Sequence, residues 1–317
     1  MKVLVTGANG FVGTHLCQHL LKRGHDVVAA VRFARTAPDE TREFAYGGLL
    51  DPVDWASALD GVDSVVHLAA RVHVMNDTSS NPLDEFRKTN VDGAVKLANA
   101  ALSAGVRRFV YMSSIKVNGE RTVESPFHAL GAANPSDPYA VSKWEAELAL
   151  ADLVASNAAS VISVRTPLVY GPGVRGNMAR LMRMACAGYP LPLGSVRNKR
   201  TMISVWNLAD LLASCATREG YTSGLVLAGD VHSPSTPELY RELAAAVGTR
   251  PRMINVPVEL LRALGGMTGR SREISRLCDS LEVANSSTIE GFQWMPPLSF
   301  QDGVLKFGTH WSKKVAR

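Results

Sequence analysis

Thr6-Gly7-Ala8-Asn9-Gly10-Phe11-Val12-Gly13 is the stretch that decides the fold. Residues 2–5 before it form a short apolar run of strand-forming type. Residues 11–23 after it carry Phe11, Leu16, Leu20 and Leu21 at helical spacing and stop at Gly24. Glycines between a strand and a helix permit a tight turn, a close backbone approach to a pyrophosphate, and close helix–strand packing. The N–H groups and dipole at the helix start favour the anionic phosphates. The spacing is G-x-x-G-x-x-G rather than G-x-G-x-x-G, but its context, first strand to first helix, is the one a dinucleotide-binding turn demands. Gly7, Asn9, Gly10, Phe11, Val12 and Gly13 are therefore candidate cofactor-binding residues.

The same alternation continues downstream. Apolar runs at 26–31, 64–69, 108–112 and 160–165 read as strands, and 51–59, 82–104 and 138–156 as helices. Asp137 and Pro138 supply a cap and a first-position proline for the last of these. Buried strands alternating with helices predict an α/β chain with a Rossmann-like, doubly wound parallel sheet. After Pro167 the rhythm breaks, with Gly171-Pro172-Gly173, Pro190, Pro192 and Gly194. Strands near 201–205 and 225–228 and a helix near 237–247 follow. This gives a dinucleotide-binding domain over 1–170 with a returning segment at about 200–230, and a smaller C-terminal substrate-binding lobe from 171–199 and 231–317.

The end of the second strand bears on the cofactor. NAD sites usually carry an acid there for the adenosine ribose. Ala29-Ala30-Val31-Arg32-Phe33-Ala34-Arg35 has none, and Arg32 and Arg35 suit a 2′-phosphate through charge-assisted hydrogen bonds. NADP is favoured over NAD.

Tyr139 and Lys143 stand four apart near a helix start and share a face. A nearby cation stabilises a phenolate and lowers the tyrosine pKa toward working pH. Tyr139 can then exchange the proton of a carbonyl/alcohol pair. Ser114, at the end of the 108–112 strand, can hydrogen-bond and position the carbonyl.

Composition sets outer limits. The chain has 317 residues, 46% hydrophobic and 20% charged, which excludes wholesale disorder. The formal charge of +5 is a thin, scattered surplus, with short pairs at Arg107-Arg108 and Lys313-Lys314, and argues against a nucleic-acid partner. The four cysteines form no C-x-x-C pair, which argues against a zinc ribbon, and no metal ligands are assigned. The early glycines argue against a signal peptide, and no long apolar run marks a membrane span. A soluble, reduced, cytoplasmic protein is expected.

Taken in order, TGANGFVG (6–13), HLAA (67–70), TNVDGAVKLANAA (89–101), FVYMSSIKVNG (109–119), PYAVSKWEAE (138–147), RTPLVYGPG (165–173) and RTMISVWNLADLL (200–212) resemble the extended short-chain dehydrogenase/reductase family. These are the NAD(P)-dependent epimerases and dehydratases of nucleotide sugars. The tail at 280–304 is similar to the family's C-terminal end. The resemblance implies a catalytic triad of Ser114, Tyr139 and Lys143, with Leu68, Ala69 and Ala70 lining the cofactor and Asn90 in its shell. It implies that Asn177 and Arg200 hold the pyrophosphate of a nucleotide-diphosphate sugar, assisted by one of Arg270, Arg272 and Arg276. A homodimer packed through 82–104 and 138–156 is also implied.

Departures from the family pattern bear on the substrate. Gly47-Gly48 replaces the usual Gly-Asp, and the motif that ends Val-Tyr-Gly reads Val117-Asn118-Gly119. Lys116 and Asn118 are either substrate contacts or solvated, and Leu168 replaces a polar residue. Ile115-Lys116 stands where dehydratases carry Asp-Glu. The overall pattern, including SSIKVNG (113–119) and WMPPLS (294–299), resembles bacterial proteins of polysaccharide biosynthesis, and the resemblance implies reduction of a UDP-linked 4-keto sugar of the N-acetylated 6-deoxy type, with a UDP-hexose 4-epimerase holding NAD as the alternative. A non-catalytic dinucleotide sensor is the remaining reading, disfavoured by the intact triad.

Overall fold

The computed structural model describes residues 1–72, 81–155 and 159–315. Residue 156, where the helix from Pro138 was expected to end, and the side chains of Lys313-Lys314 lie outside the described residues. Eight strands form one sheet in the order β10-β9-β6-β5-β4-β1-β2-β3. They are β1 Lys2–Thr6, β2 Asp26–Val31, β3 Arg42–Ala45, β4 Ser64–His67, β5 Arg108–Ser114, β6 Ser160–Thr166, β9 Gly224–Leu227 and β10 Ser286–Ser287. All pairings are parallel except β10 against β9. The strand order reverses between β1 and β4, the switch point where an open α/β sheet binds its ligand.

Alternation along each strand supplies both cores. Val3 and Val5 of β1 pack with Leu16, Cys17 and Leu20 of α1 (Phe11–Lys22) and Leu208, Leu211 and Leu212 of α7 (Val205–Thr217). Leu4, between them, points the other way. It packs with Trp55 and Leu59 of α2 (Trp55–Leu59), Leu97 and Ala101 of α4 (Gly93–Ser103), and Leu150 of α5 (Pro138–Val154).

The helix expected over 82–104 is broken into three: α3 (Pro82–Arg87), a π-helical turn at Lys88–Asp92, and α4. Asn90 lies in that turn and is buried. It accepts the Arg71 N–H at 2.8 Å and donates to Ser142 Oγ at 3.0 Å, so the widened turn aims one amide at two neighbouring segments.

Two short strands stand apart. β7 (Leu168–Tyr170) and β8 (Met202–Ser204) pair only with each other, so the strand expected near 201–205 does not join the main sheet. Beyond them lie helices that the punctuation after Pro167 concealed: α6 (Gly176–Cys186), α9 (Val258–Met267), α10 (Ser271–Cys278) and α11 (Phe300–Val315). Met182 of α6 and Phe300 and Phe307 of α11 pack with Tyr170 of β7 and with Tyr240 and Leu243 of α8 (Thr236–Ala246). A smaller cluster of Leu193, Val196, Leu261 and Cys278 joins α9 to α10. No helix among the described residues is long and apolar enough to cross a membrane.

Candidate active site

The site is built at the carboxyl ends of β1, β4, β5 and β6. Gly7 leaves β1 with φ at +65°, a conformation that favours glycine. A Cβ on Gly7 would stand 3.1 Å from the Ala69 nitrogen, so the turns after β1 and β4 touch. Thr6 joins them: its Oγ1 accepts the Leu68 and Ala69 N–H groups, both at 3.2 Å. That leaves the hydroxyl proton for His67 Nδ1, 2.7 Å away, and assigns the His67 proton to Nε2. Burial pushes His67 down to about 3, so the ring stays neutral.

The start of α1 is open to an anion. Gly10 caps it with no side-chain hydrogen bond, and its first turn holds no acid. A Cβ at Gly13 would lie 2.2 Å from the Gly7 carbonyl oxygen, so only glycine lets α1 pack this close to the turn. The loop after β2 approaches from the side, and Asn9 Nδ2 donates to Thr36 Oγ1 at 3.0 Å. Arg32 and Arg35 are exposed on that loop. Near Gly47-Gly48, where the sequence lacks the usual acid, Asp51 reaches back and accepts the Gly48 N–H at 2.7 Å. These glycines, free amides and guanidiniums fit the phosphates of a dinucleotide.

Ser114, Tyr139 and Lys143 converge. Asp137 caps α5 by accepting the Ala140 N–H at 2.7 Å, which sets Tyr139 in the first turn. The Tyr139 hydroxyl hydrogen-bonds to Ser114. The Lys143 ammonium lies 6.0 Å from the Tyr139 ring centroid, 4.5 Å from that of Tyr111, and donates to the Met112 carbonyl at 2.8 Å. Burial pushes the Lys143 ammonium down to about 7. The Tyr139 phenol moves opposite to the expected direction. Burial, then the Asp137 charge, push it up to about 12, against the Ser114 hydrogen bond that lowers it. A desolvated lysine that is only partly charged near neutral pH cannot offset that burial.

Other polar residues near the triad are committed to structure. Lys116 is half-buried, bonds to Asp137 and lies 3.3 Å from Glu120. Asn118 is buried and accepts from Arg165 Nη1 at 3.0 Å. Leu168 is exposed.

Arg200 is half-buried and donates to the Asp279 carbonyl at 3.1 Å. Burial lowers its pKa, and Arg276 is near enough to lower it further by like-charge repulsion. Of the three candidate arginines, Arg276 is the one whose charge acts on Arg200. Arg270 and Arg272 are exposed at the start of α10. Asn177 is exposed in the first turn of α6. No group of metal-ligating side chains occurs among the described residues.

A model of the NAD dependent epimerase/dehydratase family matches residues 3–224. A UDP-glucose 4-epimerase of Vibrio cholerae is 40% identical over 304 residues, covering 95% of this chain and 92% of that protein. A 2-alkyl-3-oxoalkanoate reductase of Stenotrophomonas maltophilia is 32% identical over 271 residues, or 80% of this chain and 77% of the reductase. The solved structure of MoeE5 in complex with UDP-glucose and NAD is 26% identical, covers 100% of both chains, and superposes with a TM-score of 0.76. With glycine turn, switch point and Ser–Tyr–Lys group arranged as described, the chain belongs to the NAD-dependent epimerase/dehydratase family.

Proposed function

We propose that this protein is an NAD(P)-dependent oxidoreductase acting at C4 of a UDP-linked sugar, and that it reduces a 4-keto-6-deoxy sugar in bacterial polysaccharide synthesis. The observation that carries the chemistry is the Ser114–Tyr139 hydroxyl pair beside buried Lys143, at the carboxyl end of β5. The bound nicotinamide supplies or accepts hydride. Tyr139 moves the proton at the oxygen of the reacting carbon, and Ser114 orients that oxygen. Lys143, when protonated, stabilises the phenolate and would hold the cofactor ribose.

Gly7, Asn9, Gly10, Phe11, Val12 and Gly13 would hold the cofactor pyrophosphate, with Leu68, Ala69 and Ala70 beside it. Asn90 fixes the segment after β4 through Arg71. Arg32 and Arg35 would take a 2′-phosphate, which favours NADP. Arg200 and Arg276, with Asn177, would hold the substrate pyrophosphate, because paired guanidiniums that repel each other are relieved by an anion between them. We assign the cofactor to the large sheet and substrate selection to the lobe built from α6, α8, α9, α10 and α11.

A second reading, a UDP-hexose 4-epimerase that retains NAD, is favoured by the 40% identity to the Vibrio cholerae enzyme. A 4,6-dehydratase is disfavoured: Ile115 is buried and Lys116 is bonded to Asp137, so the turn after Ser114 offers no free acid. The deciding experiment purifies the protein, identifies any retained nucleotide, and supplies a UDP-4-keto sugar. Stoichiometric NADPH consumption supports the reductase; tightly held NAD with redox-neutral conversion of a UDP-hexose overturns it. Tyr139→Phe separates both from a sensor, which would keep its cofactor-linked behaviour. Two further assignments go with this reading. One is a homodimer packed through the segment from α3 to α4 and through α5, where Leu148 is exposed. The other is a cytoplasmic location, in keeping with four free cysteines.

A further inference from the structure

The end of β2 has no acid in sequence, but the sheet brings one. The register Ala29↔Glu43 places a β3 carboxylate beside β2, under the loop that carries Arg32 and Arg35. Glu43 Oε1 accepts the Arg35 N–H at 2.8 Å, and its Oε2 accepts those of Thr36 at 3.0 Å and Ala37 at 2.9 Å. Three successive amides close on one carboxylate. Arg35 stands at φ +60°, a left-handed conformation that costs a non-glycine residue free energy, so the loop holds this shape only while something pins it. The opposite side is tied as well: Thr36 Oγ1 accepts from Asn9 Nδ2 at 3.0 Å and donates to the Phe33 carbonyl at 2.6 Å. The loop is thus clamped between the glycine turn and Glu43. Both Glu43 oxygens are engaged by backbone, and the two arginines remain exposed.

We propose that Glu43 is a positioning residue for cofactor selectivity, bracing the loop from below so that Arg32 and Arg35 are already placed for a 2′-phosphate. The inference rests on the assignment of those arginines to NADP. A braced loop loses little conformational freedom on binding, whereas a loose one must be ordered by the ligand. NAD lacks the 2′-phosphate, draws nothing from the two guanidiniums, and is indifferent to the brace.

The test measures dissociation constants by calorimetry on the purified chain, with NADPH, NADH, 2′,5′-ADP and 5′-ADP as probes. Glu43→Ala weakens NADPH and 2′,5′-ADP about tenfold and NADH and 5′-ADP less than about twofold. Glu43→Gln, which keeps one acceptor oxygen and the side-chain bulk, falls between. Equal losses for the phosphorylated and unphosphorylated ligands, or no loss, overturn the proposal. So does tighter NADPH, which would show that the carboxylate repels the phosphate. Arg35→Ala runs in parallel. If it leaves NADPH affinity unchanged, the NADP assignment has failed. If it weakens NADPH while Glu43→Ala does not, only the brace has failed.

Discussion

Arg165 closes on Glu147, Nη2 to Oε2 at 2.5 Å, and takes the carboxylate that lies one helical turn beyond Lys143. Both partners are buried, and the Arg165 Nε shares the same carboxylate at 2.9 and 3.1 Å. Glu147 still raises the Lys143 pKa through space, but burial wins and the ammonium falls to about 7. The pair ties β6 to α5 and leaves Lys143 with the Met112 carbonyl as its bonded partner.

Lys143 should therefore weaken the ligand-free fold at low pH. Its folded value of about 7 lies below the ordinary 10.5, so the charged form is penalised by folding. The penalty is full below about pH 7 and fades as pH rises toward 10.5, because the unfolded chain then keeps a proton that the folded chain has lost. Lys143→Met is expected to melt above the wild type at pH 6, with an advantage that shrinks at pH 9. Thermal unfolding of the ligand-free protein at both pH values checks this; an equal advantage at both would count against it.

Breaking the Arg165–Glu147 pair from one side strands a buried charge. Glu147→Gln or Arg165→Met is expected to cost about 3–5 kcal/mol. Replacing both by methionine should cost less than either alone, since no charge is then left in the core. Urea unfolding of the three variants gives the comparison, and simple additivity would contradict it.

Asp137 raises the proton affinity of Tyr139, and Lys116 neutralises Asp137. Lys116→Met should therefore raise the Tyr139 pKa further. The alkaline limb of the kcat/KM profile is expected to move to higher pH by about one unit or less. A lower rate with an unmoved limb would assign Lys116 to substrate contact instead.

Gly13 and Gly10 are graded by what an added methyl group would meet. At Gly13 it stands 2.2 Å from the Gly7 carbonyl oxygen and 2.8 Å from the Ala8 Cα, both backbone atoms that cannot rotate aside. At Gly10 the nearest atom is 3.0 Å away. Gly13→Ala is expected to lower the melting temperature and weaken cofactor binding about tenfold or more, and Gly10→Ala to do less of both. Calorimetric titration with the dinucleotide, beside thermal melts, ranks the two.

The sequence by itself determined the parallel sheet, the turn at its switch point and the residue types of the triad. Those features are local: a short strand, glycines at fixed spacing, a capped helix with Tyr139 and Lys143 one turn apart. Where a signal was diluted, it misled or fell silent. The four residues of β3, all exposed or half-exposed, hid that strand, prolines and glycines hid α6, and a continuous helical period concealed the π turn at Asn90. Only the tertiary structure decided that the Arg276 charge acts on Arg200, that Glu43 of β3 takes the amides of the loop after β2, and that Glu147 serves Arg165. The physical reason is that these are pairings across sheet register and between distant segments. Whether two charged groups meet, and whether either is stripped of water, is fixed by which strands lie side by side and how deeply they are covered, and no short stretch of chain carries that information.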